Sequence, residues 1–202
     1  MQAPQAPLPA VVLAAGGSRR MGRPKALLSL PGGPAALARV VAACREGGCS
    51  PVLVVAGADA DAVAAAARAA GADVVENGAW ERGRSTSVKA ALPHLPGGAR
   101  GLLLFPVDHP LVEAPVVAAL LAAFGADPGA EVVLPVHGGR RGHPILLAAR
   151  TFPEIAGLGD DEPLRSVVHR PGRRVLEVAV EGDAILRNID RPEDVPPRSP
   201  GT

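Results

Sequence analysis

What most constrains this chain is a rhythm: short apolar runs alternate with alanine-rich stretches of helical spacing. Residues 10–15 (AVVLAA) stop at Gly16-Gly17, 51–56 read PVLVVA, 73–76 read DVVE, and 101–107 (GLLLFPV) end at Asp108. Between them, 34–46 (PAALARVVAACRE) opens on proline and closes on Gly47-Gly48. A helix capped by Asp59 or Asp61 runs to Ala70 and stops at Gly71, 85–92 is ended by Pro93, and 114–124 has Pro115 at its start and Gly125 past its end. Proline in the first turn and glycine beyond the last are the expected helix punctuation. Such alternation predicts an α/β fold, with a mixed, mostly parallel sheet and helices on both faces. Segments apolar throughout, such as 102–104, suit strands buried on both sides. Further on, strands are expected over 131–136, 144–149, 174–180 and 184–187, with a Gly/Arg turn at 138–142. A short helix is expected over 162–169 and a last helical turn at 192–194. The later part therefore adds an antiparallel segment. In such sheets ligands sit beyond the carboxyl ends of the strands, which directs attention to the loops after Ala15 and Val107.

Length and composition narrow the function. A chain of 202 residues is best read as one domain, 10–195, between flexible tails at 1–9 and 196–202. Lys+Arg is 21 against Asp+Glu 20. That balance argues against a general nucleic-acid binder, so any polyanion site must be local. Trp80, Phe105, Phe124 and Phe152 are the only aromatics, too few for base-stacking platforms. Two cysteines, Cys44 and Cys49, do not make a disulfide framework. With no signal-like start and no apolar run of about 18 residues, a cytoplasmic protein without a membrane partner is expected. The small net charge and the lack of a heptad seam favour a monomer. The only lysines are Lys25 and Lys89, and a lysine kept in so arginine-rich a chain raises the question of its role.

The strongest local signal is LAAGGSRRMGRPK, from Leu13 to Lys25. A buried strand runs into two glycines that permit close backbone approach. Ser18 adds a hydroxyl, and Arg19, Arg20, Arg23 and Lys25 crowd four cations into thirteen residues. This is the chemistry of a polyphosphate cradle. No G-K-[ST] follows, so it is not a Walker loop, and G-x-G-x-x-G is absent.

The spacing resembles the pattern L-A-A-G-x-S-x-R-M-G-x-x-K of the MobA-like nucleotidyltransferases. GRSTSVKAALPHL (83–95), FPVDHPLV (105–112), RRGHPILL (140–147) and ILRNIDRPEDV (185–195) extend the resemblance in chain order. Together they look most like the molybdenum cofactor cytidylyltransferases of that family. The resemblance implies a nucleotide-diphospho-sugar transferase-like three-layer sandwich. It also implies CMP transfer from CTP to the phosphate of molybdenum-bound molybdopterin, with Mg²⁺ as cofactor and Mn²⁺ as a substitute. A recipient molybdoenzyme would be a further partner.

Carried over by residue, Leu13, Ala14, Ala15, Gly16 and Gly17 would face base and phosphates. Ser18, Arg20 and Lys25 would contact the triphosphate, with Lys25 and Arg20 catalytic. The methyl of Ala15, where guanylyl-transferring relatives have glycine, narrows the base site; it excludes guanine better than it chooses cytosine. Asp108 would be catalytic and bind both the metal and the nucleotide; His109 beside it departs from the methionine or glutamine common there. Asp190 would be a second metal ligand, with Asn188 orienting it; read alone, Asp190 is equally an N-cap before Pro192. Ser85 and Ser87 would read the base, although a hydroxyl here also caps a helix. Lys89 reads as an ordinary surface lysine. His143, Arg141 and Arg165 would hold the acceptor, whereas His94, His137 and His169 read as surface or packing residues. The loop 159–165 lacks one family glycine, which leaves the acceptor open. Rival readings are the same chemistry on another nucleotide or acceptor, a non-catalytic nucleotide or pterin carrier, and a structural domain.

Overall fold

The computed structural model describes residues 8–197. Eight strands form one sheet: β1 (Ala10–Leu13), β2 (Val52–Ala56), β3 (Asp73–Glu76), β4 (Gly101–Pro106), β5 (Val132–His137), β6 (Arg140–Arg141), β7 (Ile145–Ala148) and β8 (Val175–Ala179). Along the sheet the order is β3-β2-β1-β4-β7-β5, with β6 and β8 also paired to β5. Strands β1 to β4 run parallel to one another, β8 runs parallel to β5, and β7 is antiparallel to both β4 and β5. The mixed, mostly parallel sheet is thus as expected. Its antiparallel element is one arm, β6 and β7, folded back against β5.

Strict alternation divides the core. Ala10, Val12, Val54, Leu103, Phe105 and Leu146 face one side. There α1 (Ala36–Glu46), α2 (Ala60–Ala69) and α4 (Ala114–Ala126) cover them through Leu37, Val40, Val63, Leu120 and Phe124. Val11, Val55, Leu102, Leu104 and Leu147 face the other side. There α3 (Arg84–Ala91), α5 (Phe152–Gly157) and α6 (Arg165–Val168) supply Val88, Ile155 and Val167. Residues i and i+2 of a strand share a face, so runs apolar at every position feed two cores at once.

Several local expectations give way to tertiary contacts. Leu8 and Pro9 belong to the domain: Leu8 is buried, its carbonyl accepts from Ser50, and that of Pro9 accepts from Leu103. Residues 1–7 and 198–202 of the expected tails lie outside the described residues. The predicted strand at 184–187 is a 3₁₀ turn, Ala184–Leu186, because the Ile185 carbonyl is taken by the His143 N–H. Helix α6 is shorter than expected, since 159–163 is spent on a turn ending at Pro163. Helix α5 was not foreseen. Cys44 and Cys49 are buried free thiols, and burial pushes Cys49 up to about 12. Among the described residues no helix is long and apolar enough to cross a membrane.

Candidate active site

The loop after β1 is braced from within. Ser18 takes a left-handed conformation (φ 45°). Its carbonyl accepts from the N–H groups of Met21 and Gly22. Its hydroxyl oxygen accepts from the Lys25 N–H at 3.0 Å. Met21 is buried with Leu28, Leu30, Ala36 and Ile189, which anchors the loop's far side. A Cβ on Gly16 would project into open space, whereas one on Gly17 would press on the Trp80 ring at 3.3 Å. Gly17 therefore lets the indole lie close against the loop.

The loop lines a cavity of about 790 Å³ at the carboxyl ends of β1 and β4. Leu13, Ala14, Ala15, Gly16, Gly17, Ser18, Arg20 and Lys25 all line it, as does Asp108 at the end of β4. Asp190 is drawn to the same place because the Ile189 N–H donates to the Asp108 carbonyl at 2.7 Å. The Lys25 ammonium contacts Asp190 Oδ1 and stands 4.0 Å from Asp108 Oδ2. Arg20 reaches Asp190 Oδ2 at 3.2 Å. Lys25, then Arg20, hold the Asp190 carboxyl below its ordinary value. Asp190 thus serves this cluster and not as a helix cap. Asn188 is exposed and does not orient it.

Asp108 Oδ1 is buried and has no hydrogen-bond partner. Buried polar atoms without partners are rare and call for an explanation. Asp108 in the cavity wall and Asp190, joined to it through Lys25, are a donor pair suited to a hard divalent cation, which takes few protein oxygens and shares phosphate oxygens and water. Among the described residues no three His, Cys, Asp or Glu side chains group as metal ligands. A cation here would therefore take Asp108 and Asp190 and complete its shell from substrate.

The other half of the cavity has a different chemistry. Leu104, Leu134, Ile145, Leu164 and Val168 make an apolar floor under Arg84, Arg141, His143, Arg165 and His169. Arg141 is held by Glu177 at 2.7 Å. His143 is fixed by its N–H bond to Ile185 and by ring contact with His109, centroids 4.9 Å apart. Burial pushes His143 down to about 4, which leaves its imidazole neutral at pH 7, and burial also lowers His109. The Nδ1 atoms of both are buried without partners.

Of the three hydroxyls at the start of α3, only Ser87 lines the cavity. Its Oγ accepts from Asn77 at 3.0 Å. Ser85 departs from the expectation: its hydroxyl donates to the carbonyls of Gly159 and Asp160, and it is off the cavity. Lys89 is no surface lysine, since it donates to Leu158 and Asp160. Gly83 is required at φ 146°, where a Cβ would fall 1.9 Å from the Asp160 carbonyl oxygen. His169, expected to be a packing residue, lines the cavity. Trp80, Arg84 and His109 were missed. A lone tryptophan and an arginine three residues before Ser87 were visible in the sequence but carried no chemistry until the loop was folded.

Comparison with known proteins gives the family and the fold. Residues 10–175 match the profile of the MobA-like NTP transferase domain. Nicotine blue oxidoreductase of Paenarthrobacter nicotinovorans is 33% identical over 159 residues, 72% of this chain and 73% of that protein. Rv0371c of Mycobacterium tuberculosis H37Rv superposes with a TM-score of 0.80 at 30% identity, over 94% of this chain and 96% of that one. Its manganese complex gives 0.76 at 28% identity with the same coverage. A nucleotidyl transferase from Methanothermobacter thermautotroptrophicus gives 0.77 at 25% identity, over 94% of both chains.

Proposed function

The chain belongs to the MobA-like NTP transferase family, and from that premise we propose that it transfers CMP from CTP to the phosphate of molybdenum-bound molybdopterin. The observation that carries the reading is the cluster of Lys25, Arg20 and Asp108 on the cavity, with Asp190 tied to it through Lys25 and Arg20, beside the apolar and arginine side chains that line the rest of the cavity. A triphosphate suits the first half, and a flat organic body with a phosphate suits the second. The Ala15 methyl, buried beside the loop, favours a pyrimidine over guanine.

An acceptor phosphate oxygen attacks the α-phosphorus in line, the new P–O bond forms as the α–β bridge breaks, and pyrophosphate leaves. The protein's part is positioning and charge neutralisation. Gly16 and Gly17 let the phosphates approach the backbone, and Lys25 and Arg20 offset the charge gathering on pyrophosphate. Ser87 lies where it can meet the base, while Arg141, Arg165 and His143 hold the acceptor. A magnesium or manganese ion at Asp108 and Asp190 would supply further charge neutralisation at the phosphates.

The test is pyrophosphate release with Mg²⁺ and each of CTP, GTP, UTP and ATP, with and without molybdenum-loaded molybdopterin. Release with CTP only when acceptor is present supports the reading. Release with another nucleotide keeps the chemistry and overturns the base. Tight CTP binding with no release points to another acceptor or to a carrier.

A further inference from the structure

Asp108 and Asp190 are already answered by cations of the chain itself. Both oxygens of Asp190 are engaged, one by Lys25 and one by Arg20, and Asp108 Oδ2 faces the same ammonium at 4.0 Å. Lys25 is largely enclosed, its side chain 15% exposed. Two positive and two negative groups therefore meet as a near-neutral set. The remaining oxygen, Asp108 Oδ1, is buried and makes no hydrogen bond, with His109 Nε2 standing 3.8 Å from it.

We propose that Lys25 is a built-in counter-ion occupying the cation position between Asp108 and Asp190 in the free protein. It yields that position to a divalent metal only when the metal arrives on a nucleoside triphosphate. The inference rests on the nucleotide-transfer reading and deepens it by fixing the order of entry. A bare dication entering the set would meet an ammonium and a guanidinium with no new anion to offset it. Like charges crowded into a partly buried site repel, because little water is left between them to screen the interaction. A metal–triphosphate complex is net negative, so it attracts Lys25 and Arg20 while the metal takes the carboxylates they leave. The movement needed is small. The Lys25 backbone stays pinned by its N–H bond to Ser18 Oγ, and Pro24 precedes it, so only the side chain need turn toward the phosphates.

The test uses Mn²⁺ alone, titrated into nucleotide-free protein, with unbound ion read by electron paramagnetic resonance. Wild type should bind weakly. Lys25→Gln and Lys25→Met should bind at least tenfold more tightly, and Lys25→Arg, which keeps the charge, should stay within threefold of wild type. Neutral variants within twofold of wild type would overturn the proposal. A second measurement needs no variant for its outcome. Wild type labelled at lysine Cε gives two resonances, for Lys25 and Lys89. The Lys25 signal should hold still on addition of Mg²⁺ alone and move on addition of Mg²⁺ with CTP; movement with Mg²⁺ alone would overturn the idea. Failure of CTP to bind at all would strike the nucleotide reading, yet leave the Mn²⁺ contrast between wild type and Lys25→Met intact.

Discussion

Lys89 and Asp160 lie 2.6 Å apart, bridging helix α3 and the loop that follows α5. The same ammonium donates to the Leu158 carbonyl at 2.9 Å, and Arg82 meets the other Asp160 oxygen. The loop so tied leads directly into Pro163, Leu164 and Arg165 on the cavity wall. Lys89→Met should therefore lower the urea midpoint and raise the acceptor KM several-fold, while calorimetric CTP affinity stays within twofold. A variant that loses CTP binding in step with acceptor binding would show that the bridge supports the whole cavity.

Lys25→Ala should lower turnover by roughly 10²–10³, the usual consequence of losing one preorganised charge donor. Asp108→Asn should fall comparably and shift the metal dependence to higher concentration. Steady-state kinetics with the preferred nucleotide checks both. Wild-type turnover in Lys25→Ala would remove Lys25 from the mechanism.

Ala15→Gly should relax base choice. Ala15 is 4% exposed and lines the cavity, so deleting its methyl opens room for a larger base. The ratio of kcat/KM for GTP to that for CTP should rise, by about tenfold if one methylene-sized contact is what discriminates. An unchanged ratio would place the choice elsewhere, Ser87 first.

His143 makes stability depend on pH in a defined direction. Burial, reinforced by His109, holds it at about 4 in the folded chain, against about 6.5 when unfolded. Between those values the unfolded chain takes a proton that the folded chain refuses. Stability is therefore lost as pH falls from about 6.5 to about 4. Urea midpoints at pH 7, 5.5 and 4.5 should fall more steeply for wild type than for His143→Gln. Parallel series would show that His143 is not held neutral.

Arg173 is a structural arginine away from the cavity. Its side chain is 4% exposed and pairs with Glu131 at 2.7 Å and Glu154 at 2.6 Å. Arg173→Met should cost about 2 kcal/mol in urea unfolding, the scale of hydrogen bonds to charged groups. CTP binding should be unaffected.

The middle of the sheet was legible because β1, β2, β4 and β7 are apolar along their length and the helices are punctuated by proline and glycine. Each signal is local. The loop after β1 was legible for the same reason, since thirteen consecutive residues carry it. What could not be read was how distant charges pair. Nothing near Asp190 in the chain says that it meets Lys25, 165 residues earlier, and its neighbours argue for a cap instead. Ser85 and Ser87 stand two residues apart on α3, which turns one hydroxyl toward loop carbonyls and the other toward the cavity. Lys89 looked solvated because its partners, Leu158 and Asp160, come from a segment whose path the sequence does not announce. His109 stood out only as a departure from a pattern, and its contact with His143 depends on how the β5–β7 arm folds back.

Trp80 is the chain's single tryptophan, and the structure sets its indole against Gly17, inside the loop expected to wrap phosphate. The molecule therefore carries its own optical probe where occupancy would first be felt. Emission excited at the indole band reports from one position with no competing fluorophore of its kind. Rapid mixing can follow loop ordering in native, unlabelled protein, separating the arrival of nucleotide from any bond made afterwards.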